Sequence, residues 1–205
     1  MQGAKEKRER SLGIHLGLKA TRCQSPKCAL VRKPYRPGVH GKSRRRKTLS
    51  DFGRQIQEKQ KFKLTYGIDE RALRNVFKQA SQKKGSTSVR FIELLEYRVD
   101  SILYRLGFAG SRSMARQLVT HGHIMINGKK VRSPGFLLKV GDIVTVRPES
   151  AGKAVFSALK EALANYEPPV WLHLDKEKLE GKVIGPPEFE SIPFEINLVV
   201  ESFSK

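Results

Sequence analysis

Beyond residue 50 the chain repeats apolar residues at the three- and four-residue spacing of amphipathic helices. Ser50 or Asp51 can cap a helix that ends at Gly67, and Asp69 can cap a second helix that ends at Gly85. A third helical segment, "VRFIELLEYRVDSILYRLG", carries one continuous apolar stripe, formed by Leu94, Leu95, Val99, Ile102, Leu103 and Leu106. These segments predict a helical region with an apolar core.

Shorter elements follow Gly107. The segment "SRSMARQLVTHGH" predicts a capped helix that ends at Gly122. "IMI", "NG" and "KKV" then predict two strands joined by a tight turn, and the alternating "IVTVR" predicts a third strand. "AGKAVFSALKEALANYE" predicts a last helix, capped by Ser150 and ended by Pro168, while "VWLHL" and "INLVV" predict short strands.

Together these elements predict an α+β fold of two domains and an arm. Residues 1–41 have no clear periodicity and predict a basic, extended N-terminal arm. Residues 42–95 predict a helical first domain, completed by residues 168–205. Residues 96–167 predict a small α/β domain inserted between these two parts, with two helices packed on a short, mostly antiparallel sheet.

The charge of the chain is high and unevenly distributed. Its 40 Lys and Arg against 20 Asp and Glu give a formal net charge of +20. Residues 1–90 hold 25 basic and 6 acidic side chains, whereas residues 151–205 hold 6 and 9. A compact protein with this imbalance repels itself, so we expect a polyanionic partner that contacts mainly the first half of the chain.

A membrane is a poor candidate for that partner. No apolar run approaches the roughly 20 residues that span a bilayer, and the first thirty residues lack the apolar core of a secretory signal. The two cysteines cannot form a disulfide framework for a chain of this length, which predicts a reducing, cytoplasmic compartment. Nucleic acid is therefore the predicted partner, with no membrane contact.

The segment "VRKPYRPGVHGKSRRRK" (31–47) is rich in basic residues, proline and glycine and is expected to order on its partner. It can also be a solvated charge run. Tyr35 favours RNA, because its ring can stack on a base while arginines contact phosphates. The predicted RNA-binding residues of this segment and of the following helices are Arg32, Lys33, Tyr35, Arg36, Arg44, Arg45, Arg46, Lys47, Arg54, Lys59, Lys61 and Arg74.

A second set of predicted RNA-binding residues surrounds the hairpin. Arg112 and Arg116 lie four residues apart on one side of the preceding helix, whose N-terminal N–H groups carry partial positive charge. The turn presents Lys129 and Lys130, and Gly128 lets a phosphate approach the backbone. The predicted clamp for a nucleic-acid backbone consists of Arg112, Arg116, Gln117, His121, His123, Asn127, Gly128, Lys129, Lys130 and Arg132.

Two parts of the sequence resemble a known family. "RVDSILYRLGFAGSRSMARQLVTHGHIMINGKKVRSPGFLLKVGDIV" (98–144) resembles the S-four RNA-binding domain, or alpha-L motif, with Val140 where the family has proline. "CALVRKPYRPGVHGKSRRRKTLSDFGRQIQEKQKFKLTYGIDERALR" and the closing "EINLVVESFSK" resemble the bacterial small-subunit ribosomal protein S-four family. The resemblance covers nearly the whole chain and is weakest in residues 1–20.

This resemblance implies a structural constituent of the small ribosomal subunit in the cytoplasm. It implies primary binding to small-subunit ribosomal RNA, nucleation of assembly at the five-prime domain junction, and a contribution to translational accuracy where messenger RNA enters the subunit. The implied partners are this RNA, the neighbouring ribosomal proteins S-five and S-three, and messenger RNA.

Metal binding is not expected from the sequence. Some members of the family hold a zinc ion with four N-terminal cysteines. This chain has only Cys23 and Cys28, in "CQSPKC", so His15 or His40 would have to help complete a four-ligand site. Two cysteines without a metal are the expectation, and neither a metal ligand nor a cofactor is predicted.

Two other functions remain open at this point. An RNA-modifying enzyme with the same RNA-binding domain would need a catalytic domain of about 100–200 residues, and residues 151–205 are too few. The sequence has no paired carboxylates, Gly-rich phosphate loop or nucleophile elbow, so no catalytic residue is predicted. A free-standing RNA chaperone would bind many RNAs weakly, whereas a ribosomal protein would bind one RNA site tightly.

Overall fold

The computed structural model describes residues 5–23, 25–43, 49–82, 84–187 and 194–204. The chain divides into two compact units. The helical unit contains Met1–Phe91 and Ile192–Lys205, and the sheet unit contains Ile92–Ser191. None of the described helices is both long enough and apolar enough to cross a membrane.

The helices and strands of the structure form an α+β fold. The helices are α1 (Lys5–Leu12), α2 (Ala20–Cys23), α3 (Ala29–Arg32), α4 (Asp51–Tyr66), α5 (Glu70–Ser81), α6 (Thr87–Glu96), α7 (Val99–Arg105), α8 (Arg112–Thr120), α9 (Pro148–Ala151), α10 (Ala154–Leu163) and α11 (Ile196–Ser204). A 3₁₀ helix spans Val39–Lys42. The strands are β1 (Ile124–Ile126), β2 (Lys129–Val131), β3 (Ile143–Val146), β4 (Leu172–Asp175) and β5 (Glu180–Val183). The predicted fold class, a helical domain followed by a small antiparallel sheet, is confirmed.

Side-chain caps set the ends of the long helices in the helical unit. Ser50 Oγ accepts a hydrogen bond from Gly53 N (3.2 Å) at the start of α4, and Asp69 Oδ1 accepts one from Ala72 N (2.7 Å) at the start of α5. Gly67 follows α4 with a φ of 63°, a left-handed conformation that glycine adopts without strain. The caps predicted at these positions are confirmed.

The core of the helical unit forms around Phe62 on α4. Its buried ring lies 5.8 Å from Phe91 and 5.0 Å from Phe194, centroid to centroid. Tyr66, one turn later on α4, is also buried. Phe52 shares the predicted helical pattern but is 70% exposed, so the apolar face of α4 contributes to the core only in its second half.

The C-terminal segment is a helix, which corrects the strand predicted for "INLVV". α11 packs against α4 and α5, where Gln55 Nε2 donates to Glu201 Oε2 (3.3 Å) and Phe203 stacks on Phe77 (5.1 Å between centroids). The apolar residues recur with helical spacing, at Ile196, Val199, Val200 and Phe203. The β-branched residues suggested a strand, but packing of this apolar face outweighs their local propensity.

The sheet unit contains one antiparallel sheet with the strand order β2-β1-β3-β5-β4. The predicted hairpin, β3 and the strand in "VWLHL" are confirmed. Helix α7 packs on α8. Leu106, which directly follows α7, packs so closely on Gly181 of β5 that a Cβ at Gly181 would lie only 2.9 Å from Leu106 Cδ2. The core between these layers includes Ile102, Leu103 and Val144, which are fully buried.

Strands β4 and β5 lie in the sheet unit, whereas residues 168–205 were predicted to complete the helical domain. β5 pairs with β3, placing Gly181 opposite Val144, and β4 pairs with β5 at the sheet edge. The segment "EGKV" has too few apolar residues to show an alternating pattern, so the sequence gives no signal for β5. The chain returns to the helical unit only at Ile192.

Two helices predicted as continuous are interrupted. Arg98 separates α6 from α7 with an extended backbone (φ −64°, ψ 139°), bridges to Leu137 and pairs with Asp100 through Nη2 (2.6 Å). The last predicted helix divides into α9 and α10. Ser150 lies inside α9, where its Oγ is 2.9 Å from His123 Nδ1, and it does not cap α10.

Candidate RNA-binding surface

The turn between β1 and β2 is fastened to the neighbouring strand by Asn127. Asn127 and Gly128 both have positive φ angles, 48° and 76°, as a two-residue hairpin turn requires. Asn127 Nδ2 donates to Asp142 Oδ1 (2.8 Å), and Asn127 Oδ1 accepts from Ile143 N (2.9 Å). The Asn127 amide, which was predicted to belong to the clamp, therefore holds the turn against β3.

The two lysines of β2 point to opposite faces of the sheet. Lys129 pairs with Ile126, which is buried, whereas Lys130 pairs with Met125. Successive side chains alternate across a strand. Both lysines are exposed, but the sheet face that carries Lys130 does not carry Lys129.

Gly122 brings two basic side chains onto the end of α8. It follows the helix with a φ of 72°. A Cβ at this position would clash with Lys130 Cε and would lie 3.2 Å from Lys130 Nζ and 3.5 Å from Arg132 Nε. The absence of a side chain at Gly122 thus allows Lys130 to lie over the backbone of the α8–β1 connection, with Arg132 beside it.

Four basic residues collect at this place, and we call Lys130, Arg132, Arg147 and Lys153 the basic cluster. Arg147 and Arg132 lower the pKa of Lys130 by charge repulsion. Burial and the charge of Lys153 lower the pKa of His123, which lies beside the cluster. Glu149 pairs with Arg147 (2.5 Å) and offsets only part of this charge. Mutually repelling cations on one surface are stabilised by an anionic partner.

The two histidines of the clamp have different environments. His123 Nδ1 lies 2.9 Å from Ser150 Oγ, and its ring meets the ring of Phe156 edge-on at 6.1 Å. His121 follows α8 directly, is exposed, and has its ring 6.0 Å from that of His123. His123 is therefore held in place next to the cluster, and His121 is available to an external hydrogen-bond partner.

Arg112 lies apart from the basic cluster. Its guanidinium contacts Glu96 Oε1 (3.2 Å) and Ser101 Oγ (3.2 Å), and it lies 4.6 Å from the centre of the Tyr104 ring. It begins α8, whereas Lys130 lies at the other end of this nine-residue helix, about 13 Å away at 1.5 Å per residue. The structure therefore does not bring Arg112 together with Lys130, as the predicted clamp required.

The remaining predicted residues of α8 are on its exposed surface. Arg116 and Gln117 are both exposed and lie in the second half of the helix, closer to the basic cluster than Arg112 is along the helix axis. The surface that the structure assembles therefore includes the second half of α8, the α8–β1 connection, β2 and the end of β3.

The predicted contacts before residue 50 are partly internal. Arg10 and Lys42 lie 5.0 Å and 5.2 Å from the centre of the Tyr35 ring, and Arg10 Nε donates to Lys33 O (3.0 Å). Arg32, Lys33 and Arg36 have exposed side chains. The predicted contacts Arg44, Arg45, Arg46 and Lys47 lie outside the described residues.

The predicted contacts on α4 and α5 divide into two kinds. Arg54 and Arg74 are exposed. Lys59 pairs with Glu70 (3.2 Å), and Lys61 is buried and pairs with Glu58. Both lysines thus form ion pairs within the helical unit.

Arg147 and Lys153 belong to the basic cluster but are absent from the sequence-based set. Arg147 directly follows β3, and its N–H donates to His123 O (2.9 Å), which extends the pairing of β3 with β1. Antiparallel pairing of "IMI" with "IVTV" places Arg147 beside His123. The strand register could therefore have indicated Arg147 from the sequence.

We expect Gly122→Ala to weaken RNA binding by up to about tenfold, since its methyl group displaces the end of the Lys130 side chain, which can form a charge-assisted hydrogen bond to phosphate. It should also cost about 1–2 kcal/mol of unfolding free energy, because alanine is strained at positive φ. Gly141→Ala is the matched control, with φ 96° and open space around the position. Filter binding and urea denaturation of both variants test this, and equal RNA affinities would contradict it.

We also expect the pKa of His123 to rise when RNA binds, because phosphates offset the repulsion from the cluster. In the free chain that pKa lies below its usual value near 6.5. The unfolded chain then binds the proton more readily than the folded chain. The stability that this group contributes is therefore present above about pH 6.5 and is lost as the pH falls from there through the folded-state pKa. NMR titration of the ring with and without RNA measures the shift, and an unchanged pKa at saturation would place the RNA elsewhere.

The chain is similar to known proteins over nearly its whole length. The family model for the ribosomal protein S4/S9 N-terminal domain matches residues 1–96, and the model for the S4 domain matches residues 98–144. Small ribosomal subunit protein uS4 of Syntrophomonas wolfei is 47% identical over 195 residues, which cover 94% of this chain and 93% of that protein. Protein uS4A of Alkaliphilus oremlandii is 48% identical and uS4 of Thermus thermophilus 45% identical, each with the same coverage. The chain therefore belongs to the bacterial small-subunit ribosomal protein S4 family.

Proposed function

We propose that this structural constituent of the small ribosomal subunit is a primary ribosomal-RNA-binding protein that nucleates assembly at the five-prime domain junction. The basic cluster is the observation that carries the proposal. Its cations repel one another in the free chain, as the lowered pKa of Lys130 reflects, so bound phosphates stabilise them. Ribosomal proteins of this family are structural, and we propose no catalytic residue.

The cluster supports recognition of an RNA backbone by shape. Lys130 and Arg132 lie near Gly122, and strand pairing fixes the backbone of Lys130, so little backbone entropy is lost when phosphates bind. Each neutralised phosphate releases counterions, which makes the affinity depend on salt. The exposed Arg54 and Arg74 of the helical unit supply a second attachment, which raises the effective concentration of the first.

The proposal extends to neighbours in the subunit. The proposed further partners are ribosomal proteins S-five and S-three and messenger RNA where it enters the subunit. We also propose that this protein contributes to translational accuracy. The excess of acidic side chains in residues 151–205 supports a basic protein neighbour for this part of the chain. Glu161, Glu167 and Glu177 are exposed there.

A salt-dependent binding titration tests the proposed function. It compares the five-prime-domain transcript of small-subunit ribosomal RNA with an unrelated folded RNA of equal length. We expect tighter binding to the ribosomal transcript that persists at moderate salt, by a factor on the order of 10³ or more. Equal affinities that decrease together as salt rises would support a general RNA chaperone instead.

A further inference from the structure

The loop between β2 and β3 presents an aromatic ring at the surface of the sheet unit. The side chain of Phe136 is 45% exposed. Among the described phenylalanine, tyrosine and tryptophan residues of this unit, it is the only exposed one. Leu137 and Val140 of the same loop are exposed as well. Exposed apolar side chains gathered in one loop indicate a contact with a partner.

The backbone on both sides of Phe136 is fixed by the residues that precede and begin α7. Val99 N donates a hydrogen bond to Phe136 O (2.9 Å), and Leu138 N donates one to Tyr97 O (2.9 Å). Phe136 N donates to Ser133 O (3.2 Å), which closes a tight turn. The ring is therefore displayed from a fixed backbone, so little backbone entropy is lost when a partner binds it.

A buried ion pair supports the loop at Gly135. A Cβ on Gly135 would lie 3.5 Å from Arg98 Nη1, so the guanidinium of Arg98 lies against the loop. Asp100 holds this guanidinium, because its Oδ1 accepts from Nε (3.0 Å) and its Oδ2 accepts from Nη2 (2.6 Å). Both side chains of the pair are buried, whereas the neighbouring Phe136 ring stays at the surface.

The exposed charges of the loop are positive. Arg132 and Lys139 are exposed and lie on either side of Phe136 in the sequence. The acidic residue of the loop, Asp142, is bonded within the fold, where Oδ2 accepts from Lys139 N and Oδ1 accepts from Asn127 Nδ2, both at 2.8 Å. An apolar protein surface would leave the two cations unpaired, whereas a nucleotide supplies both an apolar base face and a phosphate.

Phe136 also lies close to the basic cluster along the chain. Arg132 belongs to that cluster, and its Cα lies at most about 14 Å from the Cα of Phe136, because four residues of extended chain reach no farther. An RNA strand whose phosphates contact the cluster can therefore bring an unpaired base to the Phe136 ring. Sequence-specific RNA recognition mostly uses unpaired bases, which stack on aromatic side chains.

We propose that Phe136 binds RNA by stacking on an unpaired base next to the strand that the basic cluster holds. The inference rests on the proposed function, because the RNA backbone must lie at the cluster. The cluster contacts the phosphates of that backbone, and the ring adds a contact that only an unstacked base can make. Phe136 does not belong to the sequence-based set of RNA-binding residues.

Filter binding of the five-prime-domain transcript to full-length variants across a salt series tests the stacking. We expect Phe136→Ala to weaken binding by about tenfold, because stacking of one base on an aromatic ring contributes that much. The slope of log affinity against log salt should stay unchanged, since no phosphate contact is lost. Val140→Ala is the matched control from the same loop and is expected to leave the affinity unchanged, because an aliphatic side chain has no ring on which a base can stack.

Two further substitutions separate stacking from a general apolar contact. Phe136→Trp keeps an aromatic ring and is expected to retain the affinity, whereas Phe136→Leu keeps apolar area without a ring and is expected to lose affinity as Phe136→Ala does. Equal affinities of the Trp and Leu variants would contradict stacking. An affinity of Phe136→Ala equal to that of the unaltered chain would overturn the proposal and leave the ring to a protein neighbour.

Ultraviolet cross-linking of the unaltered chain to the transcript tests the same contact without a substitution, so a folding defect in a variant leaves the test intact. We expect mass spectrometry to find a nucleotide attached to peptide 133–139, which contains Phe136. Cross-links found only elsewhere in the chain would overturn the proposal. Equal affinities of the unaltered chain for the ribosomal transcript and an unrelated RNA would contradict the proposed function instead, and the loss in Phe136→Ala would still decide whether the ring contacts RNA.

Discussion

Replacing both Lys130 and Arg132 by alanine is expected to weaken binding to the five-prime-domain transcript by on the order of 100-fold, since each side chain can form a charge-assisted hydrogen bond to phosphate worth about 1.5 kcal/mol. The slope of log affinity against log salt should decrease by about two, one unit for each lost phosphate contact. Both side chains lie near Gly122 and belong to one cluster. Filter binding across a salt series measures both quantities.

Lys182→Ala is the control for this double variant. Lys182 is exposed and, by strand register, lies on the same face of the sheet as Lys130. It is three strands away, about 14 Å at the usual strand spacing. We expect at most a twofold loss of affinity for this variant. Equal losses for Lys182→Ala and the double variant would mean that the sheet attracts RNA by general charge and not through the cluster.

Glu96→Gln is expected to lower the unfolding free energy by about 3 kcal/mol, because breaking a buried ion pair leaves its partner charge uncompensated. The Glu96 side chain is 2% exposed. It accepts hydrogen bonds from Arg105 (3.0 Å), Arg112 (3.2 Å) and Ser101 (3.0 Å), and so joins α6, α7 and the start of α8. The value is at the low end for such pairs because a quarter of the Arg105 side chain reaches solvent.

Glu149→Gln provides the comparison for Glu96→Gln. Glu149 also pairs with an arginine, Arg147, but its side chain is 72% exposed. Exposed ion pairs contribute less than about 1 kcal/mol. Urea denaturation of both variants, with unchanged dependence on denaturant, measures the difference. Similar small losses for the two substitutions would show that Glu96 does not act as the buried centre of this network.

Local features of the fold were predictable from the sequence. Ser50, Asp69 and Ser111 each cap a helix with their own side chain, and each is recognisable from the few residues that follow it. The hairpin was predictable because Asn127–Gly128 must adopt positive φ angles wherever it joins two strands. Neither inference needs knowledge of distant parts of the chain.

The composition of the site depends on contacts between distant residues, which the sequence does not display. Arg112 resembles a free basic residue until Glu96 and Ser101 are seen to bind it. The local sequence around Lys153 gives no sign of a role, which becomes visible only because the fold places its charge near His123. In each case the partner is fixed by tertiary packing, so residue type and local spacing could not decide whether the charge faces RNA or stabilises the fold.

The central claim is that the basic cluster contacts ribosomal RNA, and lysine acetylation of the unaltered chain tests it most directly. Neutral amines react, so the lowered pKa of Lys130 favours its acetylation in the free chain. With the five-prime-domain transcript bound at saturation, we expect mass spectrometry to show protection of Lys130 and Lys153 and an unchanged rate at Lys182. Unchanged acetylation of Lys130 in the saturated complex would contradict the assignment of this surface.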